Sequence, residues 1–196
     1  MNVERETRER IVLAALELFL AYGIKKTTMD EVASQSGVTR VTVYRYFGGK
    51  KQLVHAAFMC IISAFQRAQA DIYREHSQQV EGYLDRIGEE LAALPKGDLP
   101  KRLDELRRLY PDIWNEFRET RRAAIKKIFE RLYKVADGQG LLRKDLNREV
   151  VRAYFAEAVI KVMESPSLVS LNLSSAEIYS TVKTIFLHGV LKEQGK

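Results

Sequence analysis

The sequence predicts an all-α protein, with a three-helix N-terminal head over residues 1–50 and a helical-bundle body over residues 51–196, about nine helices in all. Three observations predict it. Apolar residues recur at helical spacing almost everywhere, whereas the period-two alternation of a half-buried strand is weak throughout. Pro95, Pro111, Pro166 and the turn from Gly138 to Gly140 fall between the periodic stretches, and Pro100 falls in the first turn of one, where proline is tolerated. Threonines stand just ahead of two short periodic runs, where a side-chain oxygen accepts from the exposed first-turn amides.

The first helix is predicted over residues 6–22, with Ile11, Ala15, Leu18 and Tyr22 on its buried stripe and Gly23 as its stop. A short second helix starts at Thr28, whose hydroxyl caps it while Glu31, three residues on, reaches back as in a capping box. It ends before Gly37, a residue able to take the positive φ of a tight turn between nearly perpendicular helices. The small Ala33 lets the second helix cross its neighbour closely. The third helix runs over residues 39–47, capped by Thr39 and stopped by Gly48 and Gly49, with Val43 and Phe47 facing the core and Val38 filling the angle.

A long fourth helix over residues 51–75 carries Leu53, Val54, Ala57, Phe58, Ile61, Ile62, Phe65 and Ala68 inward and joins head to body. Further helices are predicted over residues 79–94, 99–109, 112–136, 148–165 and 176–192. Ser174 and Glu177 read as a second capping box, with Leu173 and Ile178 spaced as a hydrophobic staple.

At 46% hydrophobic and 30% charged, the chain has the composition of an ordered protein and not of a disordered one. Its single cysteine, Cys60, forms no internal disulfide, the N-terminus lacks the pattern of a secretion signal, and apolar runs such as residues 56–64 fall far short of the roughly 20 that cross a bilayer. A cytoplasmic protein is expected. His55, His76 and His188 with Cys60 match no zinc spacing, so neither metal nor cofactor is expected. There is no glycine-rich phosphate loop, no GxSxG turn and no paired catalytic carboxylate, so an enzyme is not expected.

Net charge is +6, and its distribution says more than its total. Between Val32 and Ala70 there is no Asp or Glu, while Arg40, Arg45, Lys50, Lys51 and Arg67 fall in that stretch. With Val43 and Phe47 inward, 100° per residue turns Val41 and Arg45 most directly outward, flanked by Thr42 and Tyr44. A short helix with such a face fits a major groove about 12 Å wide, and Arg45 suits bidentate bonds to guanine. Tyr44, Tyr46, Lys50 and Thr28 suit phosphate contacts, with Arg5 and Arg8 as a further arm.

The stretch from Ile11 to Phe58, IVLAALELFLAYGIKKTTMDEVASQSGVTRVTVYRYFGGKKQLVHAAF, closely resembles the DNA-binding head of TetR-family repressors. The segments TTMDEVA, SGVTRVTVYRYF and GKKQL match in order and spacing over about a quarter of the chain. The resemblance implies a dimer of nine-helix subunits with two heads on successive major grooves of operator DNA and a body that binds a small effector. It also implies DNA contact at Thr28, Thr39, Arg40, Thr42, Tyr44, Tyr46 and Lys50. Val41 stands where the family often has glycine, and a branched side chain there suits a thymine methyl or a shifted operator preference.

The last two predicted helices carry wide apolar stripes, Val151, Tyr154, Phe155, Ala158, Val159 and Val162 on one and Ile178, Val182, Ile185, Phe186 and Gly189 on the other. The resemblance assigns such a pair to a four-helix bundle across a two-fold axis, which two heads need to meet half-sites roughly 34 to 36 Å apart. The expected dimer interface is Tyr154, Phe155, Ala158, Val162, Ile178, Val182, Ile185, Phe186 and Gly189. Phe65, Tyr110, Trp114 and Phe117 are candidate effector-binding residues, since pockets are mostly apolar with a few polar groups, though rings of this kind also serve as plain core. The function expected is sequence-specific regulation of transcription by a repressor released by a small molecule. Control by a protein partner, or activation, are the alternatives.

Overall fold

A computed structural model describes residues 2–75, 80–163 and 175–191. The expected features at His76, Pro166, Leu173 and Ser174, and the side chains of Phe65 and Ala68, lie outside the described set. Among the described residues the protein is all-α, as expected, with nine helices: α1 Asn2–Tyr22, α2 Met29–Gln35, α3 Arg40–Phe47, α4 Lys50–Glu75, α5 Val80–Ala92, α6 Leu99–Leu109, α7 Pro111–Gly138, α8 Arg148–Met163 and α9 Ser175–Val190. Outside them, an isolated antiparallel bridge pairs Leu142 with Leu191.

The chain forms two compact units. The first is Met1–Ser63 with Leu94–Arg118, so it takes in α1 to α3, the first half of α4, α6 and the start of α7; the second is Ala64–Ala93 with Glu119–Lys196.

In the first unit Ile11, Ala15, Leu16 and Phe19 of α1 are fully buried together with Val32 and Val43 of α2 and α3 and Leu53, Val54, Ala57 and Phe58 of α4. Each such large side chain contributes about 1.5 to 3 kcal/mol relative to exposure. The stripe of α1 differs from the expected one: Phe19 is buried, Leu18 is half-buried and Tyr22 is 65% exposed. The reason lies in α6, which packs on α1. Arg102 donates from Nε to the Leu20 carbonyl and from Nη2 to that of Ala21, both at 3.3 Å, capping carbonyls that a helix end leaves without partners. Glu105 accepts from the amides of Ile24 and Lys25 at 3.0 and 2.8 Å. Gly97, just ahead of α6, permits the approach, since a Cβ there would lie 2.6 Å from Leu20 Cβ.

In the second unit α9 packs on α5 and α8. The Tyr179 hydroxyl donates to the Leu84 carbonyl and Lys183 pairs with Asp85. Phe129, Phe155 and Phe186 form a cluster with ring centroids 5.2 to 6.0 Å apart, two of the three contacts edge-on. Such pairs add about 0.5 to 1.5 kcal/mol beyond the area they bury.

Candidate nucleic-acid interface

Local chemistry sets the pair α2 and α3. Thr28 lies in extended backbone, accepts from the Glu31 amide at 3.2 Å, and donates its own amide to the Glu31 carboxylate at 2.7 Å, completing the expected capping box. The Thr28 amide and hydroxyl hold that carboxyl below its usual value. After α2 the backbone turns at Gly37, whose φ is +64°, and the Val38 amide returns to the Ala33 carbonyl at 3.0 Å. Thr39 then caps α3 by accepting from the Thr42 amide at 3.2 Å.

This frame presents α3 as the sequence predicts. Val43 and Phe47 are buried, Val41 is 77% exposed and Tyr44 39%, and Arg40 and Arg45 are exposed, while Thr42, Tyr46 and Val38 are half-buried. The Arg45 guanidinium lies over the Tyr46 ring at 5.4 Å and, among the described residues, has no carboxylate partner. Arg40 differs: its Nη1 meets Asp30 Oδ2 at 3.0 Å while the same group lies 5.5 Å from the centre of the Tyr44 ring.

Lys50 is half-buried and its Nζ donates to the Lys25 carbonyl at 3.1 Å. Burial pulls this ammonium below its ordinary value against the pull of Glu105 and Glu31. The lysine is therefore part of the fabric that holds the turn between α1 and α2. That turn exposes Lys25 and Lys26, two cations beside Thr28 that are not among the expected contacts, although consecutive lysines ahead of the TT pair are a signal for them.

Arg5 and Arg8 form no separate arm, because α1 is helical from Asn2: Arg5 pairs with Glu9 at 2.9 Å and Arg8 lies over the Phe47 ring at 5.3 Å. Arg8 lines an open cleft of about 480 Å³ whose other walls include the ion pairs Lys51–Asp112 at 2.8 Å and His55–Glu116 at 3.0 Å.

Tyr110, Trp114 and Phe117 do not line that cleft. Phe117 is 1% exposed, edge-on to Phe58 at 6.2 Å and stacked on Trp114 at 6.3 Å, as core packing. Trp114 is half-buried, as is Tyr110, which terminates α6 through its amide to the Leu106 carbonyl. The expected dimer residues divide. Tyr154, Val162, Ile185 and Gly189 are exposed together with Val150, and Ala158, Ile178 and Val182 are half-buried. Phe155 and Phe186 turn inward to Phe129. Among the described residues no three His, Cys, Asp or Glu side chains gather to hold a metal ion, and no helix is long and apolar enough to cross a membrane.

Residues 11–57 match the family model for bacterial regulatory proteins, tetR family. An uncharacterized HTH-type transcriptional regulator of Pseudomonas putida, TtgW, is 48% identical over 52 residues, 26% of this chain and 39% of its own length. The HTH-type transcriptional regulator SrpR of Pseudomonas putida is 49% identical over 51 residues, 26% of this chain and 24% of its own length. The fold as a whole is similar to that of SmeT, the repressor of the Stenotrophomonas maltophilia multidrug efflux pump SmeDEF, with a TM-score of 0.64 over 95% of this chain and 91% of that one at 19% identity.

Proposed function

We propose that the chain is a member of the TetR family of bacterial regulatory proteins, whose model its residues 11–57 match, and that it is a homodimeric, sequence-specific transcriptional regulator and not an enzyme, a repressor released from operator DNA by a small-molecule effector. The observation that carries this reading is the face of α3, where Val41, Tyr44 and Arg45 are exposed while Val43 and Phe47 are buried. Residues 1–50 do the DNA binding and residues 51–196 the sensing and pairing. Arg45 donates to the O6 and N7 acceptors of a guanine, and Val41 meets a thymine methyl. Thr28, Thr39, Arg40, Thr42, Tyr44, Tyr46 and Lys50 fix register on phosphates. The protein works in the cytoplasm, where its operator is.

Two heads read one operator through a two-fold pair built on α8 and α9, with Tyr154, Val162 and Ile185 at its seam. The repressor reading is supported by SmeT, a repressor of like fold. The effector binds near Tyr110, Trp114 and Phe117, and α4, continuous from Lys50 to Glu75, responds to it. A coupling of about 1 to 3 kcal/mol changes operator affinity roughly 5 to 150-fold.

Selection of bound sequences from a random duplex library tests the reading. A two-fold symmetric site with half-sites one helical turn apart is expected. No enriched sequence, even at low salt, overturns it.

A further inference from the structure

We propose that Asp30 restrains the grip of the head on the DNA backbone by holding the Arg40 guanidinium in an internal ion pair, an inference that rests on α3 facing DNA. Arg40 opens α3 and Asp30 lies in the first turn of α2, ten residues earlier, with Nη1 and Oδ2 3.0 Å apart. Nη1 meets the carboxylate while the guanidinium carbon lies over the Tyr44 ring at 5.5 Å, so the pair also ties down a second residue of the DNA face. Its neighbour Glu31 is committed to the Thr28 amide and hydroxyl. Beyond Glu31 no acid occurs before Asp71. Arg45, one turn further along α3, has no carboxylate partner among the described residues.

Carboxylate and phosphate oxygens compete for the same N–H fork. Both members of the pair are largely exposed, with 58% and 62% of their side chains accessible, so the pair is weakly held and a phosphate displaces the acid. Displacement breaks the bond between Arg40 and Asp30, and that cost recurs in every complex, whatever its sequence. The two arginines of α3 therefore carry separate duties. Arg45 is kept open for bases, and Arg40 engages the backbone only against the pull of Asp30.

The test measures fluorescence anisotropy of full-length protein with a random duplex and with the selected operator across a salt series, for the wild type, Asp30→Asn, Arg40→Ala and the double variant. Asp30→Asn is expected to tighten both duplexes by about 3 to 10-fold at 50 mM salt, with the gain shrinking as salt rises and the slope of log affinity against log salt steepening by about 0.9. In the Arg40→Ala background the same substitution is expected to change affinity less than about 2-fold, since an exposed charge without a partner acts weakly. Asp30→Ser, another residue suited to a helix start, repeats the measurement should Asn disturb α2. Unchanged or weaker binding by both Asp30 variants, with wild-type binding intact, overturns the restraint and makes Asp30 a support for Arg40. A full gain that survives Arg40→Ala overturns the role of the pair. A wild type that binds no duplex at low salt overturns the DNA-binding reading itself, and the restraint with it.

Discussion

At the scale of single residues, polar groups on the face of α3 are sorted by what else holds them. Arg45 is unclaimed by any described acid, so Arg45→Ala is predicted to relax preference at one operator position by about 1 to 3 kcal/mol while leaving the thermal midpoint unchanged, as read by selection and by melting. Lys50 carries a structural duty besides its proposed phosphate contact. Lys50→Ala is therefore predicted to lower stability by about 0.5 to 1.5 kcal/mol through the lost bond to the Lys25 carbonyl, and to weaken all duplexes alike. A binding loss with no loss of stability would show that this bond holds nothing. Glu105 gives a pH signature. Burial on its own raises its carboxyl, but the Lys25 and Ile24 amides and Arg102 outweigh burial and hold it below the usual 4.5. A carboxyl depressed on folding contributes stability that is present above its ordinary value and lost as pH falls through the folded one. The stability gap between wild type and Glu105→Gln is therefore predicted to be largest near neutrality and to close in acid below pH 4.5, by denaturant titration across pH.

At the scale of elements, two glycines make different demands. Gly37 has φ +64° with open space where a Cβ would be, so Gly37→Ala costs only left-handed strain, about 1 to 2 kcal/mol, or roughly 2 to 4 °C in melting midpoint per kcal/mol. At Gly97 a Cβ would meet the Leu20 backbone at 3.0 Å, which cannot swing aside, so Gly97→Ala is predicted to cost more and to loosen α6 from α1. Equal midpoints for the two variants would contradict this close approach. The turn at Gly37 was legible in the sequence because helix stop, glycine and capping threonine are all local signals. The approach at Gly97 was not, since its partner lies 77 positions away and no local pattern encodes a distance between helices. The buried stripe of α1 shows the same limit: periodicity points to Leu18 and Tyr22, and packing buries Phe19 instead.

At the scale of the whole molecule, the division of apolar residues on α8 and α9 separates folding from assembly. Phe186 is 2% exposed, so Phe186→Ala is predicted to cost about 3 to 5 kcal/mol of stability. Tyr154 and Ile185 are 64% and 55% exposed, large apolar groups of the kind that partners cover. Tyr154→Arg with Ile185→Arg is predicted to leave the fold intact, as seen by circular dichroism, while sedimentation shows a monomer that has lost most operator affinity. A double variant that remains dimeric would move the pairing surface elsewhere.

By itself the sequence determined the helices, the caps at Thr28 and Thr39, and which side of α3 carries Arg45, since these rest on interactions spanning three or four residues and on a fixed turn of 100° per residue. Only the tertiary structure decided that Arg102 and Glu105 close the end of α1, that Asp30 holds Arg40, and that Phe155 and Phe186 turn inward while Tyr154 and Ile185 do not. Helical periodicity names a face without naming what covers it. The covering group arrives from a distant part of the chain, and packing and charge select it only once the elements have met.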